Sequence, residues 1–238
     1  MNGAVLKRLF ERTQFAMAQQ DVRYYLNGML MELRPGLVRA VATDGHRLAL
    51  SEAESEEREA GETQVILPRK AVLELGRLLA DQGGEIEMEI STNHMRIRFE
   101  ENSFTSKLID GRFPDYERVI PTDSNKVMTV NRESFRQALA RASILSNEKY
   151  RGIRFALSSG MLQLQAHNPE QEEAEEELEV GYEGEELVIG FNVGYLLDVL
   201  GAIDTDVVEV RLRDASSSCL IQGEGEIESR YVVMPMRL

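Results

Sequence analysis

The amino-acid sequence carries one long pattern twice, and this repeat limits the possible folds more than any other feature. VILPRKAVLELGRLLA in the first half aligns with LVIGFNVGYLLDVLGA in the second at an offset of about 123 to 125 residues, and two helix-like segments align at about 129. Such a period indicates duplicated domains, because solenoid units are about 20–50 residues long. Each copy reads helix, strands, helix, strands, which predicts an α+β fold of two tandem repeats with two helices packed on antiparallel sheet.

The periodicity of apolar residues places the elements within each repeat. Apolar spacing over residues 4–18 predicts a helix, and SFRQALARASILSN predicts its counterpart. EIEMEIS, HMRIRFE and NSFTSKLI alternate as antiparallel strands do, and Ser158 to Gly160 should form the turn of a strand pair. The Pro- and Asp-rich GRFPDYERVIPTDSN reads as the crossing between domains, which we place at residues 1–121 and 122–238.

Composition excludes several classes of protein. The single Cys219 allows no internal disulfide and fits a reducing compartment. The sequence has no apolar run long enough to span a membrane, and its first residues lack the apolar core of a signal peptide. These features predict a cytoplasmic protein that is not bound to a membrane.

Charge is distributed unevenly, although the net charge is −14. Residues 5–17, 69–80 and 132–151 hold 11 of the 27 basic residues and only 4 of the 41 acidic ones, whereas residues 169–179 hold seven glutamates. Two interpretations remain open. The basic helices are solvated and paired with nearby glutamates, or they face the phosphates of a nucleic acid, where Lys and Arg spread along a face suffice for contact without base recognition.

Six stretches together resemble bacterial DNA sliding clamps, the beta subunit of DNA polymerase III. They are YYLNGML, ATDGHRLAL, TSKLIDGRFPDYERVIP, SILSNEKYRG, NPEQEEAEE and the final YVVMPMRL. The resemblance covers essentially the whole chain, but it matches only the second and third of the family's three domains. It implies a non-catalytic polymerase accessory protein without cofactor or metal, whose six-domain ring encloses double-stranded DNA with helices lining the hole.

The resemblance also implies a pocket between the two domains that takes short apolar peptides of polymerases and the clamp loader. The residues that match the family's pocket are Leu26, Thr43, Gly45, His46, Arg47, Leu48, Pro114, Arg118, Val119, Tyr150, Asn192, Tyr195, Ser218, Val232, Val233, Met234, Pro235, Met236 and Arg237. Ser216 departs from the larger apolar residue expected there, so one wall should differ. The sequence alone favours a buried edge strand for YVVMPMRL, and it is the resemblance that assigns this run to the pocket.

Residues at two further surfaces follow with the same resemblance. Those matching DNA contacts are Gln20, Arg23, Tyr24, Tyr25, Arg69, Lys107 and Arg112. At the family's subunit interface, Ile144 and Leu145 match the apolar contact, and the acidic stretch around it includes Glu170, Glu172 and Glu173.

Two domains per chain would need three chains to supply six domains, which predicts a homotrimer. Arg77, Arg96 and Arg98 would then replace the basic edge of the absent domain. The other interpretation is that Arg96 and Arg98 are ordinary solvent-facing strand residues, which deter aggregation.

Two rival functions remain beside the ring. An enzyme could use Asp44 and His46 as acid and base, but Asp-Gly in TDGH suits a turn between strands, and no nucleophile or phosphate-loop motif is present. Alternatively, the chain is a truncated clamp that binds client peptides as a decoy without enclosing DNA.

Overall fold

Antiparallel strands organise each half of the chain in the same way. The computed structural model describes residues 1–57, 61–79 and 84–237, and the chain divides into two compact units, Met1–Tyr116 and Glu117–Leu238. We call them unit 1 and unit 2.

The described residues of unit 1 form two α-helices and seven strands. They are α1 (Gly3–Thr13), β1 (Gly28–Arg34), β2 (Leu37–Thr43), β3 (Arg47–Glu54), β4 (Thr63–Pro68), α2 (Arg69–Leu78), β5 (Glu87–Ile90), β6 (His94–Phe99) and β7 (Asn102–Lys107). Four strands run in the order β4-β1-β2-β3, and β5-β6-β7 form a second sheet.

Unit 2 repeats this arrangement with one additional strand. Its elements are β8 (Lys126–Asn131), α3 (Arg132–Ser143), β9 (Gly152–Ser158), β10 (Met161–His167), β11 (Glu173–Glu179), β12 (Leu187–Asn192), α4 (Val193–Ala202), β13 (Val207–Leu212), β14 (Cys219–Gly223) and β15 (Ser229–Val233). The strand order β12-β9-β10-β11 matches β4-β1-β2-β3. The predicted fold of two tandem repeats is confirmed.

Helix starts and apolar faces explain why the same fold forms twice. Asn2 and Asn131 occupy equivalent N-cap positions, and each side chain accepts a backbone N–H of the first turn. In unit 1, Leu6 and Phe10 of α1 are fully buried. In unit 2, the rings of Phe135, Phe155 and Phe191 pack edge to face, with centroids 5.9 and 5.2 Å apart.

The boundary between the units lies five residues before the predicted one. Tyr116 is 5% exposed and belongs to unit 1, where its hydroxyl donates to Glu32 Oε2 at 2.6 Å and accepts from Arg39 Nη1 at 2.8 Å. Burial, and then the Glu32 carboxylate, raise the pKa of Tyr116 to about 12. Part of the predicted crossing loop is therefore fastened to unit 1.

Several details differ from the periodicity. The first helix ends at Thr13, not at residue 18, and a 3-10 turn follows it. Helix α2 ends at Leu78, short of the predicted glycine stop, of which Gly83 lies outside the described residues. The periodicity also did not identify β3, β8 or β11. None of the helices described is long and apolar enough to cross a membrane.

Candidate functional site

The turn between β2 and β3 holds four predicted peptide-site residues in a fixed conformation. The Asp44 carboxylate accepts the backbone N–H of His46 at 2.9 Å and of Arg47 at 3.0 Å, and Gly45 has a φ of 89°. The Thr43 hydroxyl donates to the Arg47 carbonyl at 2.6 Å and accepts from the Gly45 N–H at 3.1 Å. These bonds are those of an Asx turn, and they leave the His46 side chain exposed.

Arg47 fastens this turn to the end of the first helical segment. Its Nε lies 3.1 Å from Asp44 Oδ2, its Nη2 donates to the Phe15 carbonyl at 2.8 Å, and its guanidinium lies 5.3 Å from the centre of the Phe15 ring. Arg47 therefore acts as a brace, and its charge is already paired with Asp44.

The neighbouring loop of unit 1 carries predicted DNA contacts and one peptide-site residue. Tyr24 is 57% exposed, and its hydroxyl lies close to Gly111. Tyr25 is half-buried and packs edge to face on Tyr24, with ring centroids 5.8 Å apart. Gln20 is exposed with a φ of 56°, and Leu26 is buried.

The remaining predicted peptide-site residues of unit 1 and the start of unit 2 differ in exposure. Leu48 is buried in β3, and Pro114 is exposed. Arg118 and Val119 lie in the short 3-10 turn Tyr116–Val119, with Arg118 exposed and Val119 half-buried.

Unit 2 brings three predicted peptide-site residues together around a cavity of about 310 Å³. Tyr150, Met236 and Arg237 line it with Asn147, Gly152 and His167. The Met236 N–H donates to the Gly190 carbonyl at 2.9 Å, which holds the chain beyond β15 in place. The cavity thus combines an apolar wall from Tyr150 and Met236 with a cation, Arg237, at its edge.

Asn192 connects this cavity to helix α4. Its side chain caps the helix by accepting from the N–H groups of Gly194 and Tyr195 at 2.9 and 3.3 Å, and it donates to the Tyr150 carbonyl at 3.3 Å. Tyr195 itself is half-buried.

The terminal run has two parts. Val232 and Val233 are fully buried in β15, whereas Met234 is 37% exposed and Pro235 and Met236 are half-buried. The two interpretations of YVVMPMRL therefore apply to different residues. Ser218 is half-buried beside β14, and Ser216 is exposed and bonded to Asp214, whereas Leu238 lies outside the described residues.

Lys107 and Arg112 border a second cavity, of about 530 Å³, in unit 1. Both are exposed, and neither side chain has an ion-pair partner among the residues described. Arg69 is half-buried, and its Nη1 reaches only the Met17 carbonyl, at 3.5 Å. Among the predicted DNA contacts, Lys107 and Arg112 therefore combine an exposed side chain with a charge that has no ion-pair partner in the described part of the chain.

Several basic residues of the helices are paired with glutamates. Arg136 lies 2.8 Å from Glu133, and Arg141 lies 2.7 Å from Glu176. Helix α4 contains no basic residue. The interpretation that basic helix residues pair with nearby glutamates therefore holds for these arginines.

The arginines predicted at a subunit interface also have partners within unit 1. Arg98 lies 3.2 Å from Glu87 and 2.8 Å from Glu89, and Arg96 lies 3.8 Å from Glu89. Both point away from the buried Ile97, as predicted.

The other predicted interface residues vary in exposure. Arg77 is largely exposed and lies 3.8 Å from Glu74. Ile144 is 77% exposed and Leu145 half-buried. Glu170, Glu172 and Glu173 are all exposed.

The sequence did not identify Asn147 and His167 as cavity residues, nor Asp21 as a partner of Arg23. His167 ends β10, which no local motif marks as part of a site. The spacing of Asp21 and Arg23 could have indicated this contact, because an Asp side chain readily accepts hydrogen bonds from the backbone N–H two residues later. Within residues 1–57, 61–79 and 84–237, no three His, Cys, Asp or Glu side chains cluster as a metal site would require.

Comparison with known protein families agrees with these features. Residues 1–115 match the family model of the DNA polymerase III beta subunit, central domain, and residues 117–237 match that of the C-terminal domain. The chain belongs to the DNA polymerase III beta subunit family. The predicted resemblance is confirmed.

Individual relatives give the extent of the match. The beta sliding clamp of Pseudomonas putida KT2440 is 57% identical over 98% of this chain and 64% of its own length. The DNA polymerase III subunit beta of Pseudomonas aeruginosa superposes with a TM-score of 0.98 at 55% identity, covering 100% of this chain and 65% of that one. Another structure is a sliding clamp from the same species bound to griselimycin, with a TM-score of 0.97, 55% identity and coverage of 100% and 64%. The chain thus spans about two thirds of the length of the curated relatives it matches.

Proposed function

We propose that the chain is a DNA sliding clamp that binds short apolar peptides of polymerases, the clamp loader and other clients. It acts in the cytoplasm as a non-catalytic accessory subunit without a cofactor. The cavity of unit 2 is the observation that carries the proposal. It combines Tyr150 with Met236 and Arg237, three residues that the resemblance had assigned to peptide binding, although Tyr150 lies far from the other two in the sequence.

The chemistry of both units suits an apolar peptide. Met236 adapts to side chains of different shape, and the Tyr150 ring provides a flat apolar wall. The Lys149 ammonium lies over one face of this ring, 5.1 Å from its centre. In unit 1, hydrogen bonds already fix the turn from Thr43 to Arg47, so a peptide that binds to its polar edge costs the protein little conformational entropy. The griselimycin bound to the P. aeruginosa clamp supports a binding surface on this family of chains.

The test is a titration of a short clamp-binding peptide from a polymerase. Deleting residues 234–238, or Tyr150→Ala, should abolish or greatly weaken binding while the circular dichroism spectrum stays unchanged. Ile227→Ala is the matched control, because Ile227 is an exposed apolar residue of unit 2, 74% exposed, that does not line the cavity. Unchanged affinity of both variants would refute the assignment.

DNA binding is the second part of the proposal. Lys107 and Arg112 supply unpaired charge for phosphates, so association should be weak, independent of sequence and strongly reduced by salt. Lys107→Ala with Arg112→Ala should lower retention on circular DNA. Arg213→Ala is the control, since Arg213 is paired with Asp123 and Asp214.

Assembly separates the ring from the decoy. We propose a homotrimer, in which the edge with Ile144, Leu145 and the acidic stretch of one chain meets Arg77, Arg96 and Arg98 of the next. A non-encircling decoy is the second candidate function. It is favoured by the ion pairs of Arg96 and Arg98 with Glu87 and Glu89, which would have to break before these arginines could contact a neighbouring chain. Native mass spectrometry at low salt should find three chains, and Arg96→Glu with Arg98→Glu should separate them. A monomer in the unmodified protein would favour the decoy.

A further inference from the structure

Arg23 belongs to the loop that the resemblance assigns to DNA, yet its contacts lie elsewhere. Its Nε and Nη2 donate to the two oxygens of Asp21 at 3.0 and 2.8 Å, and its backbone N–H donates to Asp21 Oδ1 at 2.8 Å. This bidentate pair holds the pKa of Asp21 down at about 2, chiefly through its hydrogen bonds to Arg23. The guanidinium is therefore already oriented by its own loop.

From this position Arg23 reaches the turn that carries peptide-site residues. Its Nη2 donates to the Asp44 carbonyl at 3.2 Å. The guanidinium also lies against Gly45, so closely that a Cβ on Gly45 would come within 3.0 Å of Nη1. Gly45 thus leaves room for the flat face of an arginine.

Hydrogen bonds within the loop around Arg23 connect it to a second part of the predicted peptide site. Asp21 and Asn27 exchange two hydrogen bonds of 2.9 Å, from the Asp21 N–H to Asn27 Oδ1 and from Asn27 Nδ2 to the Asp21 carbonyl. The Leu26 N–H donates to the Arg23 carbonyl at 2.8 Å, and the Leu26 carbonyl accepts from Ala18 at 3.0 Å. Leu26 is itself a predicted peptide-site residue, so Arg23 lies between two parts of that site.

We infer that Arg23 is a positioning residue for the peptide-binding turn from Thr43 to Arg47, and that it thereby links the DNA-facing loop to peptide affinity. This inference rests on the proposed function for its consequence, and on the contacts with Asp21, Asp44 and Gly45 for its cause. Linkage is reciprocal, so a phosphate that draws Arg23 away from Asp44 weakens peptide binding, and a bound peptide weakens that phosphate contact by the same factor.

The inference changes what is expected of Arg23 substitutions. A residue that only binds phosphate would leave peptide affinity unchanged when replaced. Arg23→Ala should instead lower the affinity for the peptide about tenfold in the complete absence of DNA, as expected for loss of a charged hydrogen bond. Arg23→Lys should recover little of the loss, because an ammonium cannot hold both Asp21 oxygens and the Asp44 carbonyl in one plane.

The experiment is a peptide titration of the full chain, without DNA, for the unmodified protein, Arg23→Ala, Arg23→Lys and Arg112→Ala. Arg112→Ala removes the same charge from unit 1 and should leave peptide affinity unchanged. Equal affinity of Arg23→Ala and the unmodified protein, or an equal loss in Arg112→Ala, would overturn the inference.

A second readout needs no peptide and keeps the two proposals apart. The backbone amide resonances of Gly45 and His46 should shift in Arg23→Ala and keep their positions in Arg112→Ala, and hydrogen exchange of the turn should accelerate only in the former. If the unmodified protein binds no peptide, the proposed function fails, yet these resonances still decide whether Arg23 positions the turn. Unmoved resonances would overturn the inference by themselves.

Discussion

Glu32 in β1 and Ala156 in β9 occupy equivalent positions in the two units, yet one is a buried carboxylate and the other a methyl group. Glu32 lies opposite Arg39 and Gln64, as Ala156 lies opposite Gln163 and Val188. The strand register is thus retained while the side-chain chemistry of this face is exchanged.

This difference in side chains determines what packs against this face of the sheet in each unit. In unit 1, Glu32 is 1% exposed and receives hydrogen bonds from Tyr116, Arg39 and Gln64, so that the segment leading out of unit 1 is fastened there. In unit 2, Val188 is 44% exposed. The two units therefore share the pairing of their strands, and individual side chains on this face determine whether another segment of the chain packs against it.

Glu32→Ala should produce the largest loss of stability, because it leaves the buried Tyr116 hydroxyl and the Gln64 amide without their acceptor and removes one of the two carboxylates that Arg39 contacts. We expect the free energy of unfolding of unit 1 to fall by about 3–5 kcal/mol, measured by hydrogen exchange resolved to each unit. Gln163→Ala is the control in unit 2 and should change stability by less than about 0.5 kcal/mol.

Transplanting the residues of unit 2 sharpens this test. Glu32→Ala combined with Arg39→Gln installs the pair that unit 2 carries and removes both charges, so it should recover part of the loss. Arg39→Gln alone measures the loss of the Arg39 contacts with Glu52 and Tyr116. If the double variant loses as much stability as the two single variants together, the Glu32–Arg39 ion pair is not the source of the effect.

Gly28→Ala tests a feature that the units share, since Gly28 lies opposite Pro68 and Gly152 opposite Asn192, where the following helix begins. A Cβ on Gly28 would overlap the Leu67 carbonyl oxygen, which is backbone and cannot move aside. We expect a loss of about 1–3 kcal/mol in thermal unfolding. Gly76→Ala, in α2 with open space around it, should instead gain roughly 0.5–1 kcal/mol.

Much of the fold could be predicted from the sequence, because alternation and helical spacing are local signals. HMRIRFE correctly predicted which residues of β6 face inward, and Gly160, with a φ of 73°, formed the expected turn. Strand β11 was missed because EAEEELE offers only Ala174 and Leu178 as apolar residues on its inward face, and its pairing with β10 decides its conformation.

The candidate site was predicted less completely, for a different physical reason. The residue types of TDGH indicate a turn, but nothing local indicates that Arg23 reaches Asp44, because that contact joins two loops 21 residues apart. His167 likewise joins Tyr150 and Met236 only through tertiary packing.

Capping of the second helix in each unit should show a smaller difference. Asn192 accepts two N–H groups at the start of α4, whereas Pro68 at the equivalent position of α2 provides no side-chain cap. Asn192→Ala should therefore cost about 1 kcal/mol in chemical denaturation, and Pro68→Ala less than about 0.5 kcal/mol. An equal cost in both would mean that the cap is not what distinguishes these helices.

The smallest difference concerns the first turns of α3 and α1, where Glu133 in unit 2 corresponds to Ala4 in unit 1. Hydrogen bonds from Arg136, and then from Gln137, lower the pKa of Glu133 from 4.5 to about 2. A lowered pKa means that the stabilisation is present above pH 4.5 and is lost as the pH falls towards 2, so only α3 should lose support from its first turn in that range. Carboxyl NMR titration should find the low value in the unmodified protein and a return towards 4.5 in Arg136→Ala. Lys7→Ala, the equivalent change in α1, should leave the titration of Glu133 unmoved, and an equal shift there would mean that general charge, and not the Arg136 contact, sets this pKa.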